Sequence, residues 1–411
     1  MIAMRPSTHL HARSAVLAAA FILLTAGPSH AGEWDVSGVA DVEARVFPHA
    51  PSHPRQRGST LSPSLSIAPE VIYEWNGRDD RFTFKPFARW DRDDPARTHV
   101  DVREASWLHL GNTWDTVVGV DKVFWGVTES RHLVDIINQT DGVENTDGED
   151  KLGQSMLNAN VERDWGTASI FILPGFRERT FAGEKGRYSG ALPVDRDAAT
   201  YDANAKERHV DLALRWRQTF DDLDIGIAHF HGTSREPRLI QTVKNGATVL
   251  VPHYDLIDQT GMDAQLTKDA TLWKVEAITR SGHGKRFYAA VAGFEHTLYA
   301  IGDSHADLGL LAEYQYDGRS VSTAPSTSAN DDVFVGARLT LNDEQDTSLL
   351  AGAVVDRSTR STALSLEAER RLSDRFKLAL EGRVLTNIDD RDALYAIRND
   401  DVLIVRLSTY F

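Results

Sequence analysis

From residue 33 onward, apolar and polar positions alternate with a period of two through segment after segment. In residues 33–46, Trp34, Val36, Ala40, Val42 and Val46 share one parity, while Glu33, Asp35, Asp41, Glu43 and Arg45 fill the other. A period of two predicts a β-strand, because successive side chains of a strand point to opposite faces. Strands of soluble sheets usually run to about 5–6 residues. A strand that crosses a bilayer at a tilt needs about 9–11. The length of this first run therefore predicts a membrane-crossing strand.

The same pattern continues down the chain. Leu61, Leu65, Ile67, Val71 and Tyr73 alternate with Ser62, Ser64, Ser66, Glu70 and Glu74, and Phe82, Phe84, Ala88 and Trp90 with Arg81, Thr83, Lys85 and Arg89. In 99–110, Val100, Val102, Leu108 and Leu110 stand against Asp101, Arg103 and His109, but Glu104 falls on the apolar parity, which predicts either a β-bulge there or a slip in the assigned register. Turn-forming pieces such as Asn76 to Asp80, Gly111-Asn112 and Ser373-Asp374 interleave with longer links near 48–60, 124–154, 176–207, 234–257, 318–331 and 386–399. Short turns on one side and long loops on the other predict an all-β, transmembrane antiparallel β-barrel, with periplasmic turns and extracellular loops. The pattern gives about 18 strands, with 16 as the alternative, and an even number leaves both ends of the sheet on one side.

The two ends of the pattern are complementary. Near the C-terminus Leu403, Val405, Leu407 and Phe411 form an apolar parity opposite Val402, Ile404, Arg406, Ser408 and Tyr410. A strand at a chain end leaves an open edge unless another strand closes it. This segment, ending on an aromatic residue, resembles the last strand of Gram-negative outer-membrane barrels, although Thr409 stands where that pattern has an apolar or aromatic residue. The resemblance implies recognition by the barrel-insertion machinery. Trp34, Trp75, Trp114, Trp165 and Tyr410 fall at the short-turn ends, where a girdle of amphipathic rings would meet lipid headgroups.

Residues 1–31 read differently. Arg5 and Arg13 lead into an apolar core from Ala15 to Leu24, followed by Ser29-His30-Ala31. This is the pattern of a cleaved secretory signal peptide, its core too short to span a bilayer. It leaves 32–411 as a single barrel domain, with no hatch segment expected before the first strand and no room for a plug domain. The full chain of 411 residues has a formal charge of −15, and loss of a leader holding two arginines and no acid makes it two units more negative. Such a surface argues against nucleic acid as a partner. The chain has no cysteine, which excludes thiol chemistry and thiolate metal sites.

The chemistry concentrates on the parity facing away from lipid. A dry core would not hold so many charges, since unpaired buried ions cost several kcal/mol each, about 3–5 where a pair is broken. A barrel of this strand number has an aqueous interior that solvates them. The link 124–154 carries Glu129, Asp135, Asp141, Glu144, Asp147, Glu149 and Asp150, together with an apolar stretch, Leu133, Val134, Ile136 and Ile137, suited to packing on a wall. The whole mature chain resembles general porins in architecture, though no diagnostic porin string is present. In that family the third loop folds inward, and its acids face basic residues of the early strands. The resemblance implies a constriction formed by Glu129, Asp135, Asp141 and Glu144 opposite Arg45, Arg81, Lys85, Arg89 and Arg103, the alternative being a loop that lies outward. Asp141, Glu144, Asp147 and Glu149 also offer oxygen ligands for calcium, against the default of a solvated acidic turn, but their spacing does not match the twelve-residue calcium loop.

Neither a Gly-x-Ser-x-Gly elbow nor a His-Glu-x-x-His helix is present, so no enzymatic activity and no cofactor are expected. The expected function is diffusion of small hydrophilic solutes through a charged, water-filled lumen in the outer membrane, with lipid as surroundings and a homo-oligomer as one option. The alternatives are a non-conducting barrel accessory to an envelope export system, and a polysaccharide exporter.

Overall fold

The computed structural model describes residues 32–411; the expected signal peptide lies outside the described residues. In chain order the strands are β1 (Glu33–Val46), β2 (Leu61–Trp75), β3 (Asp80–Asp91), β4 (His99–Leu110), β5 (Trp114–Asp121), β6 (Gln154–Arg163), β7 (Gly166–Pro174), β8 (Thr200–Tyr201), β9 (Val210–Phe220), β10 (Leu223–Thr233), β11 (Arg238–Lys244) and β12 (Ala247–Tyr254). They continue as β13 (Leu256–Lys268), β14 (Thr271–Gly282), β15 (Gly284–Leu298), β16 (Asp307–Asp317), β17 (Asp331–Thr340), β18 (Ser348–Asp356), β19 (Thr362–Arg371), β20 (Phe376–Thr386) and β21 (Val402–Tyr410). Eighteen of them form one sheet, and β8, β11 and β12 form a separate three-stranded sheet.

Each strand of the large sheet pairs antiparallel with its sequence neighbours, and β1 closes the ring on β21. At the seam Leu403, Val405 and Leu407 stand opposite Val46, Ala44 and Val42, and the Phe411 N–H donates to the Gly38 carbonyl at 3.1 Å. Closure satisfies the backbone groups that the two terminal strands would otherwise expose.

The period-two pattern sets the two faces. In β1, Val42 is 56% exposed on the outside while Glu43 is fully buried inside. On the outer face of β19, Leu364 and Leu366 are exposed, and on β21 so are Leu403 and Leu407. Trp34, Trp114, Trp165 and Trp273 are exposed near the short-turn rim, but Tyr410 has the inward parity of Val402 and Ile404 and so does not extend the outer belt.

The bulge is in β4. Lys85 pairs with Glu104 and Pro86 with Val102, so Arg103 is the extra residue. Below it the parity reverses: Trp107 is outward and 38% exposed, which puts Leu108 and Leu110 on the inward parity, opposite to the simple alternation. A bulge makes this exchange because one added residue shifts every later side chain to the other face.

Loop lengths are less strictly sorted than the sequence pattern implies. On the long-loop side His283 alone joins β14 to β15, and residues 357–361 join β18 to β19, whereas residues 299–306 form an extended turn on the other side. The link at 234–257 holds the β11–β12 hairpin, and β8 from the link at 176–207 pairs parallel with β12.

Candidate functional site

The segment between β5 and β6, residues 122–153, lies against inward-facing side chains around much of the ring. It bends at Gly126, which takes φ of +147°, and a Cβ there would come within 3.0 Å of Glu276 Oε1. Glu276, fully buried on β14, accepts hydrogen bonds from the N–H groups of Val127 (2.8 Å), Thr128 (3.1 Å) and Val134 (3.1 Å). Glu313 on β16 does the same for Glu129 (2.7 Å) and Ser130 (2.8 Å), eight strands around the ring from β5. Arg131 reaches Asp317 at 2.8 Å. Glu276 and Glu313 thus serve loop N–H groups that have no strand partner, which is how irregular backbone is satisfied away from water.

The segment then packs apolar side chains on the wall. Trp125, Leu133, Val134, Ile136 and Ile137 join Phe171, Phe230, Ile257, Ile278 and Phe287 in one buried cluster inside the barrel. Trp125 meets the Phe171 ring edge-on at 5.5 Å, and the Arg215 guanidinium sits 4.8 Å from the Trp125 ring. Part of the interior is therefore dry, which the charge-rich inward parity does not predict.

On its return the segment meets the early and late strands. Arg89 pairs with Glu144 at 2.8 Å, Arg103 with Asp141 at 2.7 Å, and Arg45 donates to the Glu144 carbonyl at 2.5 Å. Arg383 on β20 holds Asp147 at 2.6 Å. Behind them, Glu43 is held by Arg45 (2.9 Å), Arg97 (2.8 Å) and Arg406 (2.9 Å). Arg97, only 2% exposed, also binds Asp91 at 2.8 Å and the Val143 carbonyl at 3.1 Å. Its burial alone would lower the guanidinium pKa, but Glu43 and Glu144 raise it, so the side chain stays charged.

Of the residues singled out in the sequence, Arg45, Arg89, Arg103, Asp141 and Glu144 come together. Arg81 and Lys85 do not touch the segment; they pair with Glu74 (2.5 Å) and Glu70 (3.4 Å) on the neighbouring strand. Asp135 pairs with Lys151 of its own segment at 3.0 Å, and Glu129 crosses to Arg338 at 2.7 Å. The four calcium candidates are spread among different surroundings: Asp141 on Arg103, Glu144 on Arg89, Asp147 on Arg383, and Glu149 exposed. Glu43, Arg97, Glu276 and Glu313 emerge only from the folded chain. Arg97 lies in a loop without parity, and the acids look like any other inward charge.

Above the segment, toward the long loops, is a vestibule of about 730 Å³, lined among others by Arg131, His132, Arg179, Arg280, Arg319 and Arg383. Asp150 of the segment, exposed on one side, is pushed up to about 6 by partial desolvation and then by Asp147, Glu144 and Asp141.

No protein-family model matches the chain, and no curated protein matches it. Among solved structures, a mutant of Rh. blastica porin is similar at 13% identity over 92% of this chain and 100% of that one, with a TM-score of 0.44. A loop-deletion mutant of OmpT, an outer membrane protein of Vibrio cholerae, is similar at 11% identity over 93% and 100%, with a TM-score of 0.47. A protein solved in work on the asymmetric conductivity of engineered proteins is similar at 12% identity over 92% and 100%, with a TM-score of 0.45.

Proposed function

We propose that the chain is a porin-like channel of a Gram-negative outer membrane, exported with a cleaved leader, through which small hydrophilic solutes diffuse. The apolar outer face and the closed ring support the membrane setting, since only a closed barrel leaves no unpaired edge in lipid. The observation that carries the reading is the attachment of residues 122–153 to inward residues on both sides of the ring, from Glu313 on β16 to Arg89 on β3. A segment tied at both ends across the interior narrows the lumen and leaves a charged passage beside it. Ions and polar solutes then meet a field set by paired charges rather than by a free row of one sign.

One observation favours a second reading. The apolar cluster around Trp125 and Phe230 occupies part of the interior, as a closed barrel acting as an accessory of an export system would allow. Single-channel recording of the purified, folded protein in planar bilayers separates the two. Discrete ohmic steps are expected for the channel, and a folded barrel that stays silent would overturn it.

A further inference from the structure

Away from the interior segment, on the long-loop side, the small sheet gathers a second set of groups. β8 runs parallel to β12, with Thr200 beside His253 and Tyr201 beside Tyr254. This pairing brings Asp202, His253 and Asp255 together so that one ligand atom of each lies within 4.8 Å of the others. His253 Nε2 stands 3.2 Å from Asp202 Oδ1 and 3.5 Å from Asp255 Oδ1. Ligands at about 2.0–2.1 Å from a tetrahedral centre are separated by about 3.3–3.4 Å. The observed spacings bracket that edge.

Three supports hold the set in place. Thr200 Oγ1 lies 2.8 Å from His253 Nδ1, which orients the ring with Nε2 toward the carboxylates. The Leu256 N–H donates to Asp202 Oδ2 at 3.3 Å. Arg238 holds Asp255 bidentately, with its Nη2 2.6 Å from Oδ1 and its Nε 2.8 Å from Oδ2, which fixes the carboxylate and leaves a further lone pair on each oxygen. Independently, the His283 side chain is fully buried, neither ring nitrogen has a hydrogen-bond partner, and its Nε2 points at Asp255 Oδ2 from 3.6 Å. A buried imidazole without partners is costly unless something else occupies its lone pair.

We propose that Asp202, His253 and Asp255 bind a divalent transition-metal ion of the zinc type, with the unpartnered His283 facing the second oxygen of Asp255. Imidazole and carboxylate ligands in this geometry suit such an ion. Bound there, it fastens residues 175–209 to the β11–β12 hairpin across the long-loop rim. His99, Asp141 and Glu144 form a comparable group, but both of its acids are paired with arginines, Arg103 and Arg89, whereas of the two acids proposed here only Asp255 has one.

The test uses the full mature chain folded in detergent and stripped with chelator, titrated with Co²⁺ alone and then with Zn²⁺. One equivalent of Co²⁺ should give visible d–d bands of tetrahedral strength, and Zn²⁺ should displace it. His253→Ala should abolish the bands, while Asp202→Asn and His283→Ala weaken binding by about 10–100-fold. His229→Ala, on the outer wall, should change nothing, and the gel mobility of unheated samples checks that every variant is folded. Zn²⁺ should also slow proteolysis within 196–208. Absence of the bands in the wild type, or their persistence in folded His253→Ala, overturns the site.

Discussion

Arg89 and Glu144, 55 residues apart in the chain, meet at 2.8 Å inside the barrel with each side chain 5% exposed. The pair ties the interior segment to the third strand. It also belongs to a chain of contacts, because Arg89 lies 3.7 Å from Glu43, which Arg97 and Arg406 bind in turn. Removing one member of a buried pair costs about 3–5 kcal/mol, because the other charge is left without its partner. Glu144→Gln should therefore lower the urea midpoint of the folded barrel and raise single-channel conductance as the segment loosens. An unchanged conductance with lowered stability would show that the segment does not limit the passage.

The apolar anchorage is separable from the ionic one. Trp125 is 5% exposed between Phe171 and Arg215. Trp125→Ala should cost about 3–5 kcal/mol through the cavity it leaves. Denaturant melts in detergent or lipid give the energy. A loss below about 1 kcal/mol would mean that the segment is held by its ion pairs alone.

Conductance should depend on pH near Asp150. Its carboxyl, pushed up to about 6 by partial desolvation and by Asp147, Glu144 and Asp141, is neutral at pH 5 and charged at pH 7.5. Cation over anion permeability, read from reversal potentials in a salt gradient, should therefore rise across that interval. Asp150→Asn should flatten the change. The linked stability runs the other way: a raised carboxyl pKa favours folding below the usual carboxylate range, and that contribution is lost as pH climbs through about 6.

The outer face offers a direct check on the lipid setting. Leu366, 40% exposed on β19, points outward among apolar neighbours. Leu366→Arg should destabilise the barrel in lipid vesicles by about 2–4 kcal/mol if the residue lies near the midplane. On a water-facing surface the same substitution would be within about 0.5 kcal/mol of neutral.

The bulge at Arg103 marks the limit of what pattern reading can follow. Glu104 on the wrong parity signals an irregularity, but the residue inserted, and hence the faces of Trp107, Leu108 and Leu110, depends on pairing with β3. Pro86 opposite Val102 lacks the N–H that would have continued the ladder, so the register shifts there.

The sequence by itself determined a ring of about 18 strands, with 16 as the alternative, the two faces of the wall wherever no bulge intervenes, and the closure of β21 on β1. Those follow from side-chain alternation along each strand, a local property of the backbone written in neighbouring residues. Tertiary structure alone decided where residues 122–153 lie, why Arg89 and Arg103 meet them while Arg81 and Lys85 do not, and how Thr200–Asp202 comes beside His253. Such contacts join residues dozens of positions apart through irregular backbone, which has no period to read, and their energies depend on burial that only the closed ring creates.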